Sequence, residues 1–258
     1  DIFCAKYNIH PSPSPMNTIR QVVEFVDENP GVLGVVPLEN SIEGSVRESI
    51  DSLMMTINPN IKILSQTIMP IRHCLLSKTT EFYSITGIIS HPQALAQCQN
   101  FIHDEMPKNL NFIEASSTAE AARSLANYNL TYAAIGSAKT AEIYNLNILK
   151  ENINDDKNNQ TRFVLIGDFE IRETGNDRTS LIFATENKPG ALLEILNIFY
   201  QNDINLSYIV SRPSKIKFGD YIFIVNFDGH IENPKIHKTL KDIKAKTTFM
   251  RFLGSYEK

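Results

Sequence analysis

Up to about residue 170 the chain repeats one pattern: a short apolar run, a Ser-containing turn, then apolar positions three and four residues apart. The run 32–36 precedes Pro37-Leu38-Glu39-Asn40-Ser41, after which Val46, Ile50, Leu53 and Met54 recur at helical spacing. Ser45 and Glu48 stand in capping-box register, so this stretch predicts strand, loop and helix. The run 85–89 leads into Ser90-His91-Pro92-Gln93, where Ser90 and Gln93 share that register and Leu95, Cys98, Phe101 and Ile102 form the buried stripe. Residues 111–115 run into Ser116-Ser117-Thr118-Ala119-Glu120, and 132–135 into Gly136-Ser137, each before an Ala-rich helix. Strands alternating with helices predict a mostly parallel sheet. In such sheets ligands bind outside the carboxyl ends of the strands, beside helix N-termini. The run 161–166, after the polar segment 152–160, reads as a late strand returning to the first sheet. Two α/β lobes are expected, about 1–65 with 147–172 and 66–146, with a cleft between them.

From Arg178 the pattern changes. Residues 179–185 read as a strand, 186–190 as a turn, and Leu192, Leu196 and Phe199 as a helix stripe. Strands at 204–210 and 221–227, a helix at 234–243 and a strand at 248–253 complete a βαββαβ order, which is ferredoxin-like. The polar segment 173–177 is the expected boundary, with domains at 1–172 and 178–258.

Composition narrows the classes. The 258 residues are 42% hydrophobic and 21% charged, as in an ordinary globular protein with room for two cores. A net charge of −4 gives no basic footprint for a phosphate backbone, so nucleic acid is not an expected partner. Cys4, Cys74 and Cys98 are far apart and form no CxxC, which fits neither a disulfide framework nor a zinc site and suits a reducing cytoplasm. No apolar run approaches the roughly 20 residues of a membrane span. The chain opens on Asp1 where a native start is Met, so residues are expected to precede it.

Several segments resemble, in order and spacing, the prephenate dehydratase family: Glu39-Asn40-Ser41 with Glu43-Gly44-Ser45, Ser90 through Cys98, Ser117 through Ala122, and Thr161-Arg162-Phe163. Gly190-Ala191-Leu192, Ser211-Arg212-Pro213 and Leu253-Gly254-Ser255-Tyr256 resemble that family's C-terminal ACT regulatory domain. The resemblance implies an α/β fold: a two-lobed, periplasmic-binding-protein-like catalytic domain with a cleft, plus a ferredoxin-like ACT domain. It implies decarboxylation and dehydration of prephenate to phenylpyruvate, feedback inhibition by L-phenylalanine, no cofactor, no metal, a cytoplasmic setting, and a homodimer or homotetramer. Two departures stand out. The chain begins at what resembles the helix after the family's Gly-Thr-Phe/Tyr-Ser turn, without that turn or its strand. The family's Glu-Ser-Arg-Pro is Val210-Ser211-Arg212-Pro213 here.

Loss of carbon dioxide and the C4 hydroxyl from prephenate is driven by aromatisation, so the chemistry calls for oriented donors and an anion cradle. The resemblance marks Thr161 as the donor to the departing hydroxyl. Arg162, on the opposite side of the strand by period-2 alternation, suits an ion pair. Glu39 is expected to act as general acid or to position Asn40 and the substrate hydroxyl, while Ser90 and Gln97 match two further active-site positions. Ser90 also reads as a helix cap, with Gln97 nearly two turns on and on the same face. Ser41, Ser117, Thr118, Arg162 and Phe163 are expected substrate contacts, Ser117 and Thr118 doubling as caps. Adjacent Ser90 and His91 lack the third member of a triad and are not read as a nucleophile pair. In the C-terminal domain Gly190, Ala191, Leu192, Asn205, Leu206 and Ser207 are expected to hold phenylalanine, Gly190 by close backbone approach or as a turn requirement alone. An arogenate dehydratase and a noncatalytic amino-acid-binding sensor are the alternatives.

Overall fold

Val23 and Val26 fall on one face of the first long helix, and the runs around Val36 and Val164 give strands that bury that face. The computed structural model describes residues 2–7, 12–214 and 221–258. The chain folds as two compact units, Asp1–Ile68 with Arg162–Lys258, and Met69–Thr161.

In the first unit, α1 (Ile2–Tyr7), α2 (Ile19–Glu28) and α3 (Arg47–Met55) accompany β1 (Gly34–Asn40), β2 (Gly44–Ser45) and β3 (Lys62–Pro70). The sheet is completed by the late strand Gln160–Gly167, numbered β9 in chain order, in the order β2-β1-β9-β3. The expected return of residues 161–166 to this sheet is met. Glu39 and Asn40, expected in a loop, lie on β1, because β1 continues through Pro37 and folds back on β2 with Glu39 opposite Ser45 and Asn40 opposite Gly44. Ser45 is consequently a strand residue and does not cap α3, whose N-cap is Val46 without a side-chain bond.

The second unit holds β4 (Cys74–Ser77), β5 (Gly87–Ser90), α4 (Pro92–Ala96), α5 (Gln99–Glu105), β6 (Asn111–Glu114), α6 (Thr118–Ser124), β7 (Tyr132–Gly136), α7 (Ala138–Tyr144) and β8 (Asn147–Lys150). Its sheet runs β6-β5-β7-β4-β8; β5 is parallel to β6 and β7, whereas β4 is antiparallel to β7 and β8. It is therefore mixed where a mostly parallel one was expected. Residues 147–161, expected in the first lobe, belong here, with Gln160 and Thr161 opening β9: β8 pairs with β4, and Ile153 N bonds the His73 carbonyl.

The expected βαββαβ order is present in the first unit as β10 (Asp177–Ala184), α8 (Ala191–Gln201), β11 (Leu206–Pro213), β12 (Tyr221–Asp228), α9 (Pro234–Lys246) and β13 (Phe249–Glu257). The antiparallel sheet has the order β11-β12-β10-β13. Its outer face, with Leu181 and Phe183, packs under α8 and α9, while its inner face, with Ile182, Ile222, Ile224, Leu253 and Tyr256, shares one core with Val36, Leu38, Ile50, Ile63 and Val164 of the first sheet. At the seam Gly254 takes φ +137°, and a Cβ there would lie 2.3 Å from the Ile63 carbonyl oxygen, so only glycine lets β13 meet β3 backbone to backbone.

Candidate functional site

Neighbouring strands β1 and β9 bring the Glu39 and Arg162 side chains together. Arg162 Nη2 donates to Glu39 Oε2 at 2.6 Å; the arginine side chain is 8% exposed and the glutamate 33%. Arg162 Nη1 reaches Gln66 Oε1 at 3.5 Å. The expected ion pair for Arg162 is thus present, and Glu39 is its acceptor. A carboxylate held as an acceptor suits orientation and charge balance better than proton delivery, which favours the positioning role among the two expected for Glu39. Asn40 is buried, and its Oδ1 accepts from Ile42 N at 2.9 Å and Glu43 N at 3.0 Å, closing the β1–β2 turn. Ser41 is exposed in that turn. Thr161 precedes Arg162 on β9 and is buried, while Phe163 packs beside Phe3, Leu64 and Leu165.

In the second unit Gln97 is the centre of a polar group. Its Oε1 lies 3.3 Å from His73 Nε2 and 3.0 Å from Asn159 Nδ2, which fixes the amide with its nitrogen turned away from both. His73 is buried, and desolvation holds its imidazole below the ordinary 6.5 despite the bond to Gln97, so it donates as the neutral ring. Sequence reasoning missed His73 and Asn159; the signal available was a lone histidine before β4 and the polar segment 152–160.

Ser90 departs from its expected capping job. It stays in β5, opposite Glu114 of β6, is fully buried, and donates its hydroxyl to Ile135 O at 2.9 Å, tying β5 to β7. Capping of α4 falls to His91, whose Nδ1 accepts from Gln93 N at 3.2 Å. That bond and the burial of Ser90 agree with the rejection of a Ser90–His91 nucleophile pair. Gln97 is the C-cap of α4, a break before α5, so the two-turn register from Ser90 does not hold. Ser117 does cap: its Oγ accepts from Glu120 N at 3.0 Å, and Thr118 opens α6.

On the C-terminal domain Gly190 is the N-cap of α8 with φ +81° and no atom within 4 Å of a built Cβ, so the turn itself requires glycine. Ala191 is buried, and Leu192 and Leu206 line the core under α8. Asn205 Nδ2 reaches Asp228 Oδ2 at 3.3 Å, and Ser207 Oγ donates to Asn226 O at 3.2 Å. Val210 packs against the core shared with the first sheet, so its apolar side chain suits its surroundings, and Arg212 pairs with Asp51 of α3 at 2.8 Å.

Residues 4–170 match the family model for prephenate dehydratase. The chain belongs to the prephenate dehydratase family. Residues 179–245 match the model for the ACT domain, so this prephenate dehydratase family member carries the ACT module on its βαββαβ unit. It is 44% identical over 245 residues to a prephenate dehydratase of Methanocaldococcus jannaschii, covering 93% of this chain and 86% of that one. It is 40% identical over 245 residues to a bifunctional chorismate mutase/prephenate dehydratase of Aquifex aeolicus, covering 95% of this chain and 66% of that longer one. Among solved structures, a prephenate dehydratase of Arthrobacter aurescens in complex with L-Phe superposes with a TM-score of 0.85 at 32% identity, covering 95% of this chain and 81% of that one. No described helix is long and apolar enough to cross a membrane.

Proposed function

We propose that this chain converts prephenate to phenylpyruvate, carbon dioxide and water, and that L-phenylalanine bound to its ACT domain inhibits the reaction. The observation that carries the reading is the Glu39–Arg162 pair, which ties β1 to β9 directly beside Thr161 within a chain of this family. The C–C bond to the ring carboxylate breaks and its electron pair enters the ring. The C4–O bond breaks as the ring becomes aromatic, and the departing oxygen takes up a proton to leave as water. Thr161 is the oriented hydrogen-bond donor to that oxygen, with the proton drawn from water, since a threonine hydroxyl is too weak an acid to deliver it alone. Arg162 and Glu39 hold β9 and the β1–β2 turn in place, with Asn40 fixing the turn and Gln97 offering an amide N–H to a substrate oxygen. Ser117 and Thr118, at a helix start, are carboxylate contacts in this reading. Gly190, Ala191, Leu192, Asn205, Leu206 and Ser207 bind phenylalanine, a reading supported by the L-Phe complex of the Arthrobacter relative. The protein works in the cytoplasm as a homodimer or homotetramer.

The test is incubation of the purified chain with prephenate, and in parallel with arogenate, with and without phenylalanine, while phenylpyruvate and phenylalanine formation are followed. Phenylpyruvate formed from prephenate and suppressed by added phenylalanine is the expected result. Product from arogenate alone transfers the reading to an arogenate dehydratase, and binding of phenylalanine with no product from either substrate transfers it to a sensor.

A further inference from the structure

We infer that the ACT sheet supplies two positioning residues to the reaction, Asn226 and Tyr208, which act through Arg162 and the β1–β2 hairpin. The inference rests on the role given above to Glu39 and Arg162, and adds residues outside the segment that matches the dehydratase model.

The register of the ACT sheet places Gly254 of β13, Ser180 of β10, Asn226 of β12 and Tyr208 of β11 in one row, each opposite the next. Directly opposed residues of antiparallel strands share a face, and this face meets the first sheet. Gly254 abuts the Ile63 backbone on β3. Asn226 is satisfied in the amide orientation whose nitrogen donates to Ser180 Oγ at 2.7 Å and Val225 O at 3.1 Å, and whose oxygen accepts from Arg162 Nη2 at 3.3 Å on β9. Ser180 Oγ in turn lies 2.7 Å from Tyr256 Oη. Tyr208 is hydrogen-bonded to Ser45 on β2, and burial holds its phenol above its ordinary value, so it acts as a neutral hydroxyl. One row of the ACT sheet thus touches β3, β9 and β2.

Apolar side chains close the space around these contacts. Leu38, Ile50, Ile224 and Leu253 seal the row, leaving a cavity of about 10 Å³, at the lower limit of what one water needs. With Asn226 in place there is barely room for a water to bridge these groups. Arg162 Nη2 therefore depends on two acceptors, Glu39 on the catalytic side and Asn226 on the ACT side. Removing one leaves the guanidinium held by the other and by the long 3.5 Å contact of Nη1 to Gln66, which lets it tilt, and Glu39 moves with it because their contact is only 2.6 Å long. Small displacements of groups that orient a substrate lower turnover without abolishing binding.

Steady-state kinetics of the full chain with prephenate and no phenylalanine test this, using Asn226→Ala, Tyr208→Phe, Glu39→Gln and the control Thr179→Val. Thr179 is fully buried in the same sheet but on its opposite face, where Oγ1 bonds Gly229 O and Ser255 Oγ. Tyr208→Phe removes one oxygen atom and keeps the ring, so it guards against a fold-level effect of Asn226→Ala. The expected result is a kcat lower by about tenfold for Asn226→Ala and about threefold for Tyr208→Phe, each with KM within about twofold, while Thr179→Val lowers the thermal midpoint with kcat and KM both within about twofold of wild type. Kinetics of Asn226→Ala and Tyr208→Phe matching Thr179→Val, alongside an impaired Glu39→Gln, overturn the inference and leave the catalytic reading standing. A fully active Glu39→Gln overturns that reading, and the inference falls with it.

Discussion

Replacing Gly254 by alanine tests whether the two sheets of the first unit are joined as closely as the fold implies. The new Cβ would sit 2.3 Å from the Ile63 carbonyl oxygen and 3.0 Å from its nitrogen, where ordinary contact begins near 3.4 Å, so β13 must retreat from β3 by roughly 1 Å. Holding alanine at φ +137° costs about 1–3 kcal/mol. Forcing a methyl into a packed seam costs about 1–3 kcal/mol more. The sum, roughly 2–6 kcal/mol, lowers the thermal midpoint by roughly 4–24 °C at about 2–4 °C per kcal/mol for a chain of this size. Gly175→Ala is the control, because Gly175 also has a positive φ, +87°, with nothing within 4 Å of a built Cβ, and so carries a backbone cost without a clash. Scanning calorimetry on both variants decides the matter. Midpoints for Gly254→Ala and Gly175→Ala within about 2 °C of each other would refute the reasoning, since the clash would then contribute nothing.

Other consequences follow from burial. Glu39→Gln should destabilise the first unit by about 2 kcal/mol, more than Arg162→Met does, because it leaves a buried guanidinium without its counter-charge while a one-third exposed carboxylate can rehydrate; urea midpoints of the two variants give the order. His73 titrates below 6.5 in the folded chain and near 6.5 unfolded, so its contribution is complete above that value and is lost as the pH falls below it. Denaturant midpoints at pH 7 and pH 5 should therefore differ less in His73→Gln than in wild type. Cys98, fully buried with its thiol pushed up to about 12 chiefly by desolvation, should resist alkylation at pH 8 in the native chain and react once it is unfolded, which mass spectrometry of the labelled protein reads directly.

Much of the fold was legible in the sequence because burial on one face leaves a period. The order of the last six elements was readable for that reason, although the buried face of α8 is Ala191, Ile195 and Phe199 rather than Leu192, Leu196 and Phe199. The β1 hairpin was not, because Pro37, Asn40 and Ser41 are the residues of a loop, yet Asn40 uses its side chain to turn the chain while remaining in the strand. The cap of α4 was displaced by one residue because Ser90 is retained in the β5 ladder, leaving His91 and then Pro92 to start the helix. Nothing local places residues 147–160; the pairing of β8 with β4 decides their place. Ser180 and Asn226 gave no signal. A polar residue in a strand reads as solvent-facing, and only the second sheet, with Arg162 on it, turns that face into an interior. Of the site residues, the Arg162 ion pair followed from alternation along β9, while His73 offered only its position as a lone histidine before β4.

Whether Thr161 assists departure of the prephenate hydroxyl is read from single-turnover formation of phenylpyruvate by wild type, Thr161→Ala and Thr161→Ser. Wild type should form phenylpyruvate, Thr161→Ala should slow the step by about 10²–10⁴, and Thr161→Ser, which keeps the hydroxyl, should restore most of the rate. A Thr161→Ala chain that turns prephenate over at the wild-type rate would contradict that role.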